Sequence, residues 1–205
     1  MRALVLAAGR GERLRPLTDK IPKPMIEVAG KPILEHVLDH LASYDIKEVI
    51  VNVHYKAEQI MKRFGNRVLF SYEPELMGTA GAMLKVKDWL GDEFLVVNGD
   101  TLTNISLYMM KTKFNLNEGM ACVFTKDTEI HNGGTFMFNN SIFDYIPSDR
   151  PYSIHEDLFP FLKATGKQII KFDTSDAYYF DCGTPEKLEK ARRFYEKKSD
   201  NLSSL

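Results

Sequence analysis

The chain opens on a strand that leaves few choices for the rest of the fold. Residues 2–8, RALVLAA, form an almost unbroken apolar run that ends at Gly9. Strict alternation of apolar and polar residues would suit a sheet with one wet face. A continuous run suits a strand buried on both faces, as in a parallel sheet covered by helices.

Parallel neighbours need long crossovers, and the next hundred residues supply them. Pro32 opens a helix over residues 33–42, ILEHVLDHLA, with apolar spacing of three and four. Residues 48–53, EVIVNV, read as a second strand, 56–64 as a short helix and 68–72 as a third strand. Residues 79–90 read as a helix with small residues at its start. Residues 94–97, FLVV, are a fourth strand that runs into Asn98-Gly99-Asp100. This alternation predicts an α/β fold: a doubly wound, mostly parallel sheet with helices on both faces. Right-handed crossovers then gather the strand C-terminal ends on one edge, where ligands bind. The Gly9 loop and Asp100 both lie at such ends.

The second half is less regular. Residues 120–124 and 135–138 read as strands joined by a tight, glycine-containing link. Residues 168–172 and 177–180 read as two more, the second running into Asp181. Residues 185–198 read as a charged amphipathic closing helix, with the last residues frayed. No internal repeat, low-complexity tract or linker divides the 205 residues, so one domain spanning 1–205 is expected.

Composition excludes several classes. The formal net charge is -1, whereas a chain that binds nucleic acid through phosphate contacts is usually basic. A triphosphate substrate needs only a local positive patch. The two cysteines, Cys122 and Cys182, are too few and too far apart for a disulfide scaffold. The N-terminal apolar run is short and meets Arg10, Glu12, Arg13 and Arg15 at once, unlike a signal peptide. No apolar stretch approaches the length of a membrane span. A cytoplasmic protein without a membrane partner is expected.

After the first strand comes LAAGRGERLRPLT, residues 6–18. Gly9 and Gly11 let the backbone approach a ligand, and Arg13 and Arg15 place charge where a polyphosphate would lie. For a lone GxG, a glycine turn with solvated arginines is the favoured reading. A dinucleotide fingerprint needs a third glycine where Leu14 stands. A Walker loop, as in a small-molecule kinase, needs Gly-Lys-Ser/Thr, which is missing.

The longer run LAAGRGERLRPLTDKIPKPMIEVAGKPILEH resembles the signature of the sugar-1-phosphate nucleotidyltransferases. The similarity lies nearest the mannose- and heptose-1-phosphate guanylyltransferases and the N-acetylmuramate-1-phosphate uridylyltransferases. It continues through Leu76-Met77-Gly78-Thr79-Ala80-Gly81, Val97-Asn98-Gly99-Asp100 and Asp181-Cys182-Gly183-Thr184-Pro185. The resemblance implies joining of a nucleoside triphosphate to a sugar 1-phosphate with release of pyrophosphate. GTP is the nucleotide favoured, Mg²⁺ the cofactor, and a homo-oligomer is possible. An alternative on the same fold is a catalytically weak regulatory subunit that binds nucleotide sugars.

The resemblance also implies roles. Arg13 and Lys23 would be catalytic, neutralising charge on the phosphates, with Lys23 held between Pro22 and Pro24. Leu6, Ala7, Ala8, Gly9 and Gly11 would bind the nucleotide through backbone groups, with Gly78 and Thr79 lining the base pocket. Tyr72 and Glu73 stand close enough in sequence to touch the base edge, with core packing an equal reading for Tyr72. Asp100 and Asp181 would hold Mg²⁺, which uses few protein carboxylates and completes its shell with phosphate oxygens and water. Taken singly, Asp100 also reads as a turn residue after Gly99, and Asp181 as a helix-terminus or turn aspartate. Asn98, Asn132, Gly134 and Glu156 match positions that contact the sugar phosphate, although Glu156 also suits an ordinary helix start. His36 and His40 have metal-compatible spacing, but Val37 stands where a zincin has glutamate. Cys182 reads as a packing residue.

One element departs from the pattern. Relatives carry a Glu-Lys-Pro element whose lysine contacts the sugar phosphate, whereas here only residues 125–131, TKDTEIH, precede Asn132-Gly133-Gly134. Lys126 is the candidate substitute, with a solvated turn lysine the slightly favoured reading of that residue. The β-helical C-terminal domain of some relatives is not expected.

Overall fold

The computed structural model describes residues 1–125, 133–174 and 176–203. Strand β1 (Arg2–Leu6) leads into a loop built from a 3-10 turn at Glu12–Leu14, helix α1 (Leu17–Lys20) and a second 3-10 turn at Lys23–Met25. The two-residue strands β2 (Glu27–Val28) and β3 (Lys31–Pro32) follow, then α2 (Ile33–Ala42), β4 (Val49–Val53), α3 (Ala57–Phe64) and β5 (Leu69–Tyr72). Next come α4 (Gly78–Lys85), α5 (Lys87–Leu90), β6 (Glu93–Asn98), β7 (Thr101–Thr103), α6 (Leu107–Leu116) and β8 (Ala121–Thr125). The remainder comprises β9 (Thr135–Asn139), a 3-10 turn at Asn140–Tyr145, a π-helical turn at Ile154–Leu158, α7 (Phe159–Ala164), β10 (Ile169–Asp173), β11 (Tyr179–Asp181) and α8 (Pro185–Ser203).

One sheet of seven strands runs in the order β10-β8-β9-β6-β1-β4-β5. Four of its pairings are parallel; β9 alone runs against both of its neighbours, β6 and β8. The mostly parallel, doubly wound reading of the sequence is therefore met. Successive strand residues go to opposite faces. Val5, Val51, Leu95 and Val97 join a core built with α2, α3 and α6. Leu4, Ile50, Phe94 and Val96 join a second core with α4, the 140–145 turn and α7. Burial on both faces is why β1 reads as a continuous apolar run.

From β1 the chain steps outward to β4 and β5, then returns to place β6 on the other side of β1. The reversal opens a crevice beyond the C-terminal ends of β1 and β6, a topological switch point. Leu6 and Asn98 are paired at those ends, and Gly99 N donates to Leu6 O at 2.8 Å.

Three sequence expectations need revision. The helix read over residues 79–90 is two helices, because Val86 leaves helical dihedrals at φ -115 and ψ 17. The closing helix read over 185–198 extends to Ser203. The strand read over 177–180 is Tyr179–Asp181, and it lies outside the large sheet, pairing with β7 in a separate antiparallel ribbon. A small third core of Leu14, Ile26, Val28, Ile33, Leu102, Cys182, Leu188 and Ala191 ties the loop after β1 to this ribbon and to α8.

Candidate active site

The loop after β1 is held by its own contacts. Thr18 Oγ1 donates to Gly11 O at 2.9 Å, and Tyr55 OH donates to Thr18 O at 2.9 Å. Gly11 has φ +65, and a Cβ there would come within 2.9 Å of Thr18 Cγ2 and 3.1 Å of Lys23 Cβ. Gly9 differs: a Cβ there would meet no protein atom within 4 Å. It borders an open cleft shared with Leu6, Ala8, Gly78, Thr79, Asn98 and Asp100. Most of the residues expected to bind nucleotide thus share one cavity wall.

A buried polar chain backs the same cleft, which Asn52 and Glu73 also line. Ala7 N donates to Asn52 Oδ1 at 2.7 Å, and Asn52 Nδ2 donates to Glu73 Oε1 at 2.8 Å. Met77 N donates to Glu73 Oε2 at 3.3 Å. Glu73 is 1% exposed and Asn52 3%. The chain links β1, β4 and the entry to α4 into one unit. Tyr72, by contrast, is exposed, so core packing does not account for its ring.

Gly78 follows at φ +75, where L side chains are strained. A Cβ there would lie 2.5 Å from Tyr152 O. Ala80 N donates to that same carbonyl at 2.8 Å, and Thr79 Oγ1 accepts from Ile154 N at 2.8 Å. The α4 entry is therefore clamped to the 152–154 segment. Glu156 lies just beyond, exposed, with its backbone N donating to Ser153 Oγ at 3.2 Å. Ser153 thus caps this turn, and Glu156 is not among the residues that line the cleft described above. Gly134 O accepts from Asn98 N at 2.7 Å, which places Gly134 beside the cleft. Asn132 and Lys126 lie outside the described residues.

Next to the cleft the charged groups converge. Asp100 sits between β6 and β7; Asp181 ends β11. The β7–β11 ribbon sets Asp181 opposite Thr101, and Cys182 N donates to Asp100 O at 3.0 Å. The Lys23 ammonium donates to Asp100 Oδ2 and lies 4.0 Å from Asp181 Oδ1. Lys23 is 8% exposed, so its charge is fixed in place. Arg13, on the 3-10 turn, comes alongside: a Cβ on Gly183 would meet Asp181 Oδ1 at 2.7 Å and Arg13 Nη2 at 2.9 Å. Lys187 Nζ, from α8, donates to Asp181 Oδ2 at 2.7 Å.

These charges set the ionisation of Asp181. Burial pushes its carboxyl up, but the Lys187 hydrogen bond and the charges of Lys23, Lys187 and Arg13 outweigh it and hold the group below the ordinary carboxylate value. Neighbouring Cys182 is fully buried and its thiol is pushed up to about 12, by burial first and by the Asp100 charge next. A neutral, buried thiol is no nucleophile, in line with the packing reading.

Two features were not read from sequence. Asn52 carried a signal, as a polar residue inside the apolar run EVIVNV. Lys187 carried none, as one of several lysines on a charged helix.

The chain matches the model of the family described as "Nucleotidyl transferase" over residues 2–129 and 113–198. It is 30% identical over 219 residues to the D-glycero-alpha-D-manno-heptose 1-phosphate guanylyltransferase of Campylobacter jejuni, covering 91% of this chain and 96% of that one. It is 30% identical over 221 residues to the bifunctional protein GlmU of Methanocaldococcus jannaschii, covering 95% of this chain but only 54% of that protein's length. Among solved structures, HddC from Yersinia pseudotuberculosis complexed with GMP-PN is similar at TM-score 0.80 and 25% identity, covering 95% of this chain and 99% of that one. The family match spans most of the chain, and the glycine loop, both aspartates and Lys23 meet at one switch point: this protein belongs to the nucleotidyl transferase family.

Proposed function

We propose that the chain is a sugar-1-phosphate nucleotidyltransferase, in which a phosphate oxygen of the sugar 1-phosphate attacks the α-phosphorus of a nucleoside triphosphate. The bond from the α-phosphorus to its bridging oxygen breaks, pyrophosphate leaves with the electron pair, and a nucleoside diphosphate sugar forms. The observation that carries this reading is the meeting of Asp100, Asp181, Lys23 and Arg13 beside the cleft of the glycine loop.

Such a reaction asks for positioning and charge stabilisation more than for covalent chemistry. In this reading, Leu6, Ala7, Ala8, Gly9 and Gly11 present backbone groups to the nucleotide, and Gly78 and Thr79 line the base site. Arg13 and Lys23 bear on the charge that builds on the α-phosphate and the leaving group. An arginine fork suits phosphate oxygens, and a lysine held at 8% exposure is a preorganised charge. Asn98 and Gly134 face the sugar phosphate.

The donor set also suits Mg²⁺. Asp100 and Asp181 offer hard oxygens that already converge on one ammonium, and Mg²⁺ is commonly held by one or two carboxylates plus substrate phosphates. Bound there, the ion would offset phosphate charge and lower repulsion between the two substrates. GTP is the favoured nucleotide; the names of the guanylyltransferase relatives and the GMP-PN in the similar solved structure support it.

The test is pyrophosphate release from a matrix of nucleoside triphosphates and sugar 1-phosphates with Mg²⁺. Turnover with GTP above the other nucleotides is expected. Binding of a nucleoside diphosphate sugar without any turnover would replace the enzyme by a regulatory subunit.

A further inference from the structure

We infer that Lys187 binds the phosphate of the acceptor sugar phosphate; the inference rests on the nucleotidyltransferase reading above. Asp181 is flanked by two ammonium groups of different character. Lys23 approaches Oδ1 with a side chain 10% exposed, whereas Lys187 binds Oδ2 at 2.7 Å with a side chain 50% exposed. One is locked into the protein; the other reaches solvent at the rim of the site.

The three cations that act on Asp181 also differ in origin. Arg13 and Lys23 come from the loop after β1, which borders the nucleotide cleft. Lys187 comes from the first turn of α8 and bonds the other carboxylate oxygen, Oδ2. In-line displacement puts the entering and leaving oxygens on opposite sides of the phosphorus. Arg13 and Lys23 are already assigned to the α-phosphate and the leaving group, so a cation from another element is free to act on the entering phosphate. Among the described residues whose charge acts on Asp181, Lys187 is the cation that comes from outside the nucleotide loop.

Its alternative use, stabilising the fold, is small, because an ion pair with a half-exposed lysine contributes little. A lysine is also suited to the transfer. Its flexible stem and three rotatable donors let the ammonium pass from a carboxylate oxygen to a phosphate oxygen over a short distance. Lys187 makes and breaks no covalent bond in this scheme; it positions the acceptor and offsets its charge.

The experiment compares wild type, Lys187→Met and Lys187→Arg, with the best acceptor among glucose, mannose and N-acetylglucosamine 1-phosphates. Mn²⁺ binding without nucleotide, read by electron paramagnetic resonance, gives a second measurement. Losing a hydrogen bond to a charged group corresponds to about ten- to a hundredfold in binding. Lys187→Met is expected to raise the acceptor KM by at least about tenfold, with the triphosphate KM within about twofold of wild type. Lys187→Arg should recover most of the loss. An unchanged acceptor KM in Lys187→Met overturns the inference. Tighter Mn²⁺ binding together with that unchanged KM identifies Lys187 as a mere counter-ion of Asp181. A wild-type protein that turns over no acceptor defeats the nucleotidyltransferase reading and this inference with it.

Discussion

Asp181 stands opposite Thr101 in the antiparallel β7–β11 ribbon, and through that register its carboxylate reaches the same ammonium as Asp100. The two aspartates are far apart in sequence, yet a short ribbon, Thr101–Thr103 against Tyr179–Asp181, sets their spacing. The ribbon in turn is fixed by Leu102 and Cys182, both buried in the small core beneath the loop after β1. Packing at Cys182 and chemistry at Asp181 are therefore coupled.

Asp100→Asn and Asp181→Asn each remove one carboxylate charge and keep the shape. The side chains are 29% and 26% exposed, so neither change opens a core cavity. Each is expected to lower kcat by about 10²–10³, the usual effect of losing one preorganised electrostatic group. Asp100→Asn also takes the near counter-ion from buried Lys23 and should lower the unfolding temperature, whereas Asp181→Asn, 4.0 Å from that ammonium, should move it less. Wild-type kcat in either variant would remove that aspartate from the site.

Arg13→Ala and Lys23→Ala should differ in kind. Arg13 is exposed, so its loss is expected to cost about 10²–10³ in kcat with little effect on unfolding. Lys23 is buried against Asp100, and its removal leaves a carboxylate without its counter-ion. Lys23→Ala should therefore raise the triphosphate KM, lower kcat and lower the unfolding temperature together. A change under about tenfold in kcat/KM for Arg13→Ala would end its assignment.

Much of the fold was legible because β1, β4 and β6 are buried on both faces and have no polar alternation to mislead the eye. The β7–β11 ribbon was not, because strands so short carry no periodicity. Helix α6 was missed for a different reason. Its buried residues Leu107, Met110 and Phe114 keep helical spacing, but Tyr108, Met109 and Leu116 are exposed and blur the pattern. At the site, glycines and charged residues following strands could be read directly. The Asn52–Glu73 link could not, because it joins distant segments through side chains, and Lys187 needed the ribbon and α8 in place before its neighbour was known.

Gly78→Ala tests the clamp on α4. The new methyl group would meet Tyr152 O at 2.5 Å, and φ +75 disfavours any L side chain. Backbone strain and overpacking each cost about 1–3 kcal/mol, so a loss of at least about 2 kcal/mol is expected. For a chain of this size that lowers the unfolding temperature by roughly 4 °C or more. An unchanged midpoint would mean that the 152–154 segment yields without cost.

Asp39 gives a pH signature away from the site. Burial pushes its carboxyl up, but hydrogen bonds from Lys31 at 2.7 Å and Arg67 at 2.9 Å hold it below the ordinary value of 3.8. The unfolded chain therefore takes up the proton at a higher pH than the folded one. Stability from this group is complete above the unfolded value and is lost as pH falls through the lower folded value. Asp39→Asn should be less stable than wild type near neutral pH, and the gap should close as unfolding is measured at progressively lower pH below 3.8. A gap independent of pH would remove the ionic origin.

The Asn52–Glu73 link makes the last prediction. Asn52 accepts from Ala7 N and donates to Glu73, with both side chains almost wholly buried. Asn52→Leu is close in volume but leaves Ala7 N without its acceptor and Glu73 Oε1 without a donor. Each unpaired buried group costs about 1–3 kcal/mol, so a loss of roughly 2–6 kcal/mol is expected. The same change frees Ala7, whose backbone is proposed to face the nucleotide. The triphosphate KM should therefore rise while the acceptor KM stays near wild type. If stability falls but both Michaelis constants hold, the link supports the fold alone, and the position of Ala7 does not depend on Asn52.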